Sequence, residues 1–160
     1  MSAPHRYSYG FGYSSLIMHS VRNISSRTVR SAARLAAVQA LYLIASTNVE
    51  KGEVMQDFLS GRLGGVAIDE DPDTERETQV KLSDFDTALF ANIVSTAVSR
   101  QAHIDSLIDD NLSDAWPKSR LEITLRSILR AAFAELLESN DVPAKVIISE
   151  YVDVAHAFYS

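Results

Sequence analysis

The stretch from Thr28 to Ser46, TVRSAARLAAVQALYLIAS, constrains the fold more than any other part of this chain. Strong helix formers dominate it and neither Gly nor Pro interrupts it, so the stretch predicts a helix. Beyond Arg34 the side chains are apolar on nearly every side, which is typical of a helix at the centre of a core. Other helices must then surround it.

Arginines cluster at the start of this predicted helix. At about 100° per residue, Arg27, Arg30 and Arg34 fall within an arc of roughly 60°. We therefore expect the first turns to project an arginine face into solvent while the second half is anchored in the core. Arginine adds nothing to stability at the positive end of a helix, whereas its fork matches phosphate oxygens well. This face predicts an anionic partner.

Charge is distributed unevenly along the chain. The first 49 residues contain five arginines and no acid, a charge of +5, whereas the remaining 10 bases and 21 acids give −11. A basic part on an acidic body indicates an anionic partner met at one end, and nucleic acid is one candidate. A short basic tail that is merely solvated is the alternative.

The composition excludes several classes of protein. Cysteine is absent, so neither a disulfide framework nor a thiolate metal site can form. No apolar run approaches the roughly 20 residues of a membrane span, and SLIMHS is too short for a signal-peptide core. We expect a cytoplasmic protein.

The rest of the chain predicts more helices. Residues 1–26 are rich in Tyr, Gly and Ser and predict a flexible tail, whereas 61–79 predict an exposed acidic loop. Helical patterns cover four further segments, and no stretch shows convincing strand alternation. The first is Lys51–Leu63, with Val54, Phe58 and Leu59 inward, and the second is a long segment that Ser83 caps and that reaches Ile108. The third begins at Leu121 behind a capping box at Ser119, and the fourth runs from Ala144 to about Phe158. This predicts an all-α protein of roughly six helices, in lobes of about 27–82 and 83–160.

No pattern of catalytic residues is present. The histidines lack metal-ligand spacing, and nucleophile-elbow, Walker and dinucleotide-binding motifs are absent. Acid pairs such as Asp109–Asp110 and Glu150 with Asp153 are expected on solvated helix faces. The sequence predicts a binding protein without metal or cofactor, and not an enzyme.

Two separated motifs resemble the NusB family of bacterial transcription antitermination factors. The first is AVQALY at 37–42, behind the arginine-containing helix start. The second is LRAAFAEL at 129–136, followed by DVPAKVIISE at 141–150. Order and spacing are similar to the family over about residues 28–158.

The resemblance implies a fold of two small helical bundles that binds boxA, a short single-stranded RNA element of nascent transcripts. It also implies NusE, a ribosomal protein, as a partner, and action on the RNA polymerase elongation complex, notably on ribosomal RNA operons. By position, Arg30 and Arg34 match the first-helix face that meets RNA, and Arg27 lies just upstream. Asp141 and Lys145 match the loop and helix start near that face. Tyr42 matches the region near the partner protein.

The sequence departs from the family pattern in three places. Ser31, Ala32 and Ala33 interrupt the arginine run, and Ser149 stands where the family usually has Asn. The family also continues into a further helix with an F-V-N-G-V-L-D motif. We therefore expect an exposed apolar patch that includes Phe133, Leu137, Val146, Val154 and Phe158.

Two other functions remain open from the sequence. The RNA-binding domain of a ribosomal RNA cytosine methyltransferase resembles NusB in its N-terminal part, but that enzyme would need a long Rossmann-like domain. A helical scaffold without RNA binding would leave the arginine face unexplained.

Overall fold

The computed structural model describes residues 29–63, 66–70, 77–81, 85–116 and 121–159. Within these ranges lie six helices: α1 (Val29–Ser46), α2 (Lys51–Leu59), α3 (Thr87–Ser99), α4 (Gln101–Asn111), α5 (Ile123–Glu138) and α6 (Ala144–Tyr159). Two antiparallel strands, β1 (Val66–Glu70) and β2 (Glu77–Lys81), lie between α2 and α3 in the chain. The all-α prediction is confirmed for the body of the protein. The predicted tail, and Arg27 beyond it, lie outside the described residues.

Helix α1 is the central helix, as its sequence predicts. Every residue from Ser31 to Leu41 is buried, and the helix packs against α2, α3, α5 and α6. Alanine provides much of this contact surface, because its small side chain allows helix axes to approach closely. Ala33 and Ala37 of α1 and Ala131 and Ala134 of α5 are completely buried.

One hydrophobic cluster includes residues of all six helices. Its large members include Leu35, Phe58, Phe90, Ile104 and Ile147, each no more than 1% exposed. Burying one such side chain stabilises a fold by about 1.5–3 kcal/mol. Helices of 9 to 18 residues are marginal alone in water, so this packing is what holds them.

The long helix predicted from Ser83 is two helices. It breaks at Arg100, whose φ of −110° and ψ of 20° depart from helical values. The carboxylate of Asp86 caps α3 by accepting the Leu89 N–H at 2.9 Å, and Ser83 itself lies outside the described residues. The break was hidden because the apolar spacing continues into α4, where Ile104 and Ile108 are buried.

Helix α2 ends earlier than predicted. Gly61 has a φ of 75°, a left-handed conformation that commonly follows the last turn of a helix. The N–H groups of Arg62 and Leu63 then turn back to the Asp57 carbonyl at 2.9 and 3.0 Å. Val54 and Phe58 are buried as predicted, but Leu59, expected inward, is exposed.

The prediction that 61–79 form a loop without strands is wrong. Strands β1 and β2 pair in register from Val66 opposite Lys81 to Glu70 opposite Glu77. Val66, Ile68, Thr78 and Val80 are β-branched and favour extended backbone. The high acidic content of the segment concealed this short pattern.

The C-terminal helices lie close to their predicted positions. Helix α5 begins at Ile123 rather than Leu121, and α6 runs from Ala144 as predicted; Ser119 is outside the described residues. The expected apolar patch is only partly exposed, because Val146 is exposed but Val154 is buried. No helix among the described residues is long and apolar enough to cross a membrane.

An ion-pair cluster fastens α4 to α5. The Asp105 carboxylate accepts hydrogen bonds from Nε and Nη2 of Arg130, both at 2.8 Å, and Arg126 Nη1 lies 3.6 Å away. The Arg130 hydrogen bonds hold the pKa of Asp105 below its usual range, against the opposing effect of burial. The ionised carboxylate therefore stabilises the folded state.

Asp105→Asn is expected to lower the free energy of unfolding at pH 7 by about 1.5–3 kcal/mol, the range for hydrogen bonds to charged groups. Because the folded pKa is depressed, this stabilisation is present above the unfolded pKa and is lost as pH falls through about 4 toward the folded value. Urea unfolding at several pH values between 7 and 3.5 measures the gap in the free energy of unfolding between wild type and variant. Asp110→Asn, at an exposed position of α4, is the control. A gap that stays constant with pH would contradict this account.

Candidate nucleic-acid interface

The start of α1 is fixed against the start of α3. The Asp86 N–H, one residue before α3, donates to the Val29 carbonyl at 3.0 Å. Arg30 follows Val29 and is exposed, so this arginine projects into solvent from a rigid helix end as predicted. It makes no ion pair with any residue that the structure describes.

Arg30 lies in a cleft of about 220 Å³. The cleft is formed where α1, α3 and α5 meet the loop before α6. Its lining residues are Arg30, Leu89, Asn92, Ile93, Ala134, Glu135, Glu138, Ser139, Asn140, Asp141 and Val142. The structure therefore places Arg30 and Asp141, two of the predicted site residues, in the lining of one cleft.

Arg34, one turn further along α1, is buried. It is 3% exposed and forms a bidentate pair with Glu135 of α5, with Nε to Oε2 at 3.0 Å and Nη2 to Oε1 at 2.7 Å. Its Nη1 donates to Oε2 of Glu150 on α6 at 3.3 Å. One guanidinium thus joins three helices.

Two hydroxyls complete this buried network. Ser31 Oγ donates to Glu150 Oε2 at 2.6 Å, and Tyr151 Oη donates to Glu135 Oε2 at 2.9 Å. Burial and then the Glu135 carboxylate raise the pKa of Tyr151 well above its usual value. Burial alone would lower the pKa of Arg34, but hydrogen bonding and charge from Glu135 outweigh it and raise that pKa. The arginine therefore stays charged and the tyrosine protonated.

The expectation that Arg34 faces solvent is wrong. The helical arc placed Arg30 and Arg34 on similar sides of α1, and that angular relation is correct. Helices α5 and α6 cover the side chain of Arg34, whereas Val29 and Arg30 at the start of α1 stay exposed. Arg34 cannot contact RNA directly in this conformation.

Sequence reasoning missed the partners of Arg34. Glu150 was expected on a solvated face, yet its side chain is only 27% exposed and binds Ser31 and Arg34. The position of Glu135 could have been predicted from the sequence to be an ion-pair site, because an acid among the apolar residues of α5 needs a buried partner. Nothing in the sequence pattern alone marked Asn92 or Asn140 as cleft residues.

The other predicted site residues are spread more widely. Lys145 is exposed in the first turn of α6, four residues beyond Asp141. Asp141 is exposed in a turn where the Val142 N–H donates to Ser139 Oγ at 3.3 Å. Tyr42 is half-buried on α1, twelve residues and therefore about 18 Å along the helix from Arg30. No group of three or more potential metal ligands occurs in the described ranges.

This arrangement is an all-helical body with an exposed arginine at the head of a buried central helix and a polar cleft that includes this arginine. The chain belongs to the NusB family, whose family model matches residues 31–160. Membership of this family agrees with the prediction that the protein is not an enzyme.

Curated relatives match over most of their own length. Transcription antitermination protein NusB of Rhodospirillum rubrum is 46% identical over 143 residues, covering 85% of this chain and 77% of that protein. The protein of the same name from Nitrobacter hamburgensis is 45% identical over 129 residues, covering 81% and 74%. That of Rhizobium rhizogenes is 42% identical over 130 residues, covering 81% and 75%.

Proposed function

We propose that this protein is a cytoplasmic transcription antitermination factor. It binds single-stranded boxA RNA of nascent ribosomal RNA transcripts together with NusE, and it acts on the RNA polymerase elongation complex. The observation that carries this proposal is the exposed Arg30 at the rigid start of α1, beside the cleft that includes Asp141. The names of the relatives favour this function over a methyltransferase domain or a scaffold.

Electrostatics supports contact with RNA at this end of the molecule. The first 49 residues carry all of their charge as arginine. Helices α1 and α6 both begin near the cleft, since Arg30 lies in the first turn of α1 and Asp141 and Val142 lie in the loop just before α6. Helix starts carry partial positive charge that favours phosphate oxygens. Arg30, Lys145 and the upstream Arg27 supply the full charges.

Arg34 has a different role in this proposal. Its guanidinium is occupied by Glu135 and Glu150, so it positions the helices that form the cleft rather than binding phosphate. Glu135 itself lines the cleft, which connects the buried network to the RNA site.

The NusE surface is proposed around Tyr42. This side chain is half-buried on α1, so it offers part of an aromatic ring to a partner while staying anchored. Because Tyr42 and Arg30 lie on one rigid helix, RNA and NusE would bind at a fixed separation. Such a pair of sites lets one partner raise the effective concentration of the other.

Arg30→Ala is expected to weaken binding to single-stranded boxA RNA and to reduce its salt dependence. Removing this positive charge from the RNA-facing surface should change the slope of log K against log salt by up to about 0.7, the value for one neutralised phosphate. Fluorescence anisotropy with labelled RNA at several salt concentrations measures both quantities. Lys145→Ala should act in the same direction.

Arg62→Ala is the matched control, since Arg62 is an exposed arginine in the turn that follows α2 and is not among the residues that line the cleft. Its affinity and slope should equal those of wild type. If Arg30→Ala also leaves affinity and slope unchanged, the first turn of α1 does not bind RNA.

A further inference from the structure

The cleft beside Arg30 contains polar side chains that have no partner within the described ranges. Arg30, Asn92, Asn140 and Asp141 all line it, all are exposed, and none makes a side-chain hydrogen bond or ion pair with a described residue. They form a mixed set of one cation, one carboxylate and two amides. A cleft with such a set suits a ligand with both donors and acceptors.

A phosphate group fits this cleft poorly. Besides Asp141, Glu135 and Glu138 line it. Arg34 neutralises Glu135, and Oε1 of Glu138 lies 3.4 Å from Nη1 of Arg100. The Asp141 carboxylate, in contrast, has no cation beside it within the described part of the chain. An anion placed beside Arg30 would therefore also meet an uncompensated negative charge. Phosphates belong at the rim, and the opposite charges of Arg30 and Asp141 suit a neutral group of the RNA.

The neutral groups of RNA are its riboses and its bases, and among the bases guanine matches both charged side chains. Arginine binds best to two adjacent acceptors, which guanine offers as O6 and N7. A carboxylate binds best to two adjacent donors, which guanine offers as N1–H and its N2 amino group. Adenine and uracil have neither adjacent pair, and cytosine has no pair of donors on different atoms.

The size and walls of the cleft also suit a single base. Its 220 Å³ is below the roughly 300–1,000 Å³ of sites that take drug-sized ligands. Leu89 and Val142, both half-buried, supply apolar surface against which a flat ring can pack.

We infer that this cleft binds one unstacked guanine base of the RNA, with Arg30 on its O6 and N7 edge and Asp141 on its N1 and N2 edge. This inference rests on the proposed RNA-binding function. It adds base specificity to that function, because phosphate contacts at the rim do not distinguish sequence.

Oligonucleotides with one guanine in a uridine background test the inference, since a single guanine can slide into the cleft in any register. Replacing it by adenine should weaken binding roughly 5- to 150-fold, the range for one bidentate base contact. Inosine lacks the N2 amino group and 7-deazaguanine lacks N7, so each should weaken binding by a smaller factor.

Substitutions at Asp141 and Arg30 then test which side chain contacts which edge of the guanine. Asp141→Ala should abolish the difference between guanosine and inosine, because no acceptor is left for the N2 amino group. Arg30→Ala should abolish the difference between guanosine and 7-deazaguanosine, whereas Arg30→Lys, which can still donate to N7, should keep part of it. Each result is a ratio of affinities, so changes common to all RNAs cancel. Asp110→Asn, at an exposed position outside the cleft lining, should preserve both differences.

The outcomes separate this inference from the proposed function. Salt-dependent binding with equal affinity for guanosine, inosine and adenosine would overturn the guanine site and leave RNA binding intact. Absence of binding to any RNA would remove the proposed function as well. Guanosine monophosphate that binds as tightly as the oligonucleotide would overturn the assignment to RNA, because the ligand would then be a free nucleotide.

Discussion

Replacing Arg34 by alanine is expected to lower the free energy of unfolding by about 3–5 kcal/mol, the cost of removing one partner from a buried ion pair. Glu135 is only 4% exposed. Without Arg34, neither its carboxylate nor that of Glu150 would have the guanidinium as a partner, and only the hydroxyls of Tyr151 and Ser31 would still donate to them. Chemical unfolding followed by far-UV circular dichroism measures this loss. We expect the free energy of unfolding to fall with denaturant concentration at the same slope as in wild type, because the folded state stays compact.

Three comparisons test whether the buried pair is the cause. Arg30→Ala, one turn earlier and exposed, should change stability by less than about 0.5 kcal/mol. Arg34→Lys keeps the charge but loses the bidentate fork, so its loss should be intermediate. Arg34→Met combined with Glu135→Gln should recover much of the loss, since no uncompensated charge then remains at Glu135. A loss below 1 kcal/mol for Arg34→Ala would mean that water reaches and stabilises the carboxylates.

The same network bears on how RNA-binding variants are read. Because Glu135 lines the proposed guanine cleft, loss of Arg34 would disturb the cleft wall without removing an RNA contact. A variant that lacks both Arg30 and Arg34 would therefore combine a binding effect with a folding effect. Arg30 alone separates the two.

Parts of this fold could be predicted because local pattern and tertiary environment agree. Helix α1 is apolar on nearly every side and is the most buried helix. Pro143 suits a first helical turn, and α6 begins directly after it at Ala144. The exposed position of Arg30 at the head of α1 also followed from sequence.

The remaining features depend on contacts between distant segments. A helical wheel gives the direction of Arg34 around α1, but the covering of that turn depends on α5 and α6, about 100 residues later in the chain. The break at Arg100 has no Gly or Pro beside it, so the local sequence does not mark it. The pairing of β1 with β2 is also a contact between separated strands, in a segment whose acidic composition indicates a loop.

Phe90→Ala is the second substitution expected to have a large effect, about 3–5 kcal/mol for a phenylalanine removed from a core. Phe90 is completely buried. It stacks on Phe58 of α2 with ring centroids 5.6 Å apart, and it meets Phe85 edge to face at 5.2 Å. The substitution would leave a cavity between α2 and α3, and urea unfolding would measure the loss.

Burial, rather than aromatic character, should decide this effect. Trp116→Ala removes a larger ring from a half-exposed position and should cost far less than Phe90→Ala, because most surface substitutions stay within about 0.5 kcal/mol.

Because Phe58 and Phe90 are in contact, their combined substitution should be non-additive, with a coupling of about 0.5–1.5 kcal/mol. Strict additivity would indicate that the two rings do not contact each other in solution. Leu89 next to Phe90 lines the cleft, so a Phe90→Ala protein that still folds should also bind RNA less tightly if the cleft is the RNA site.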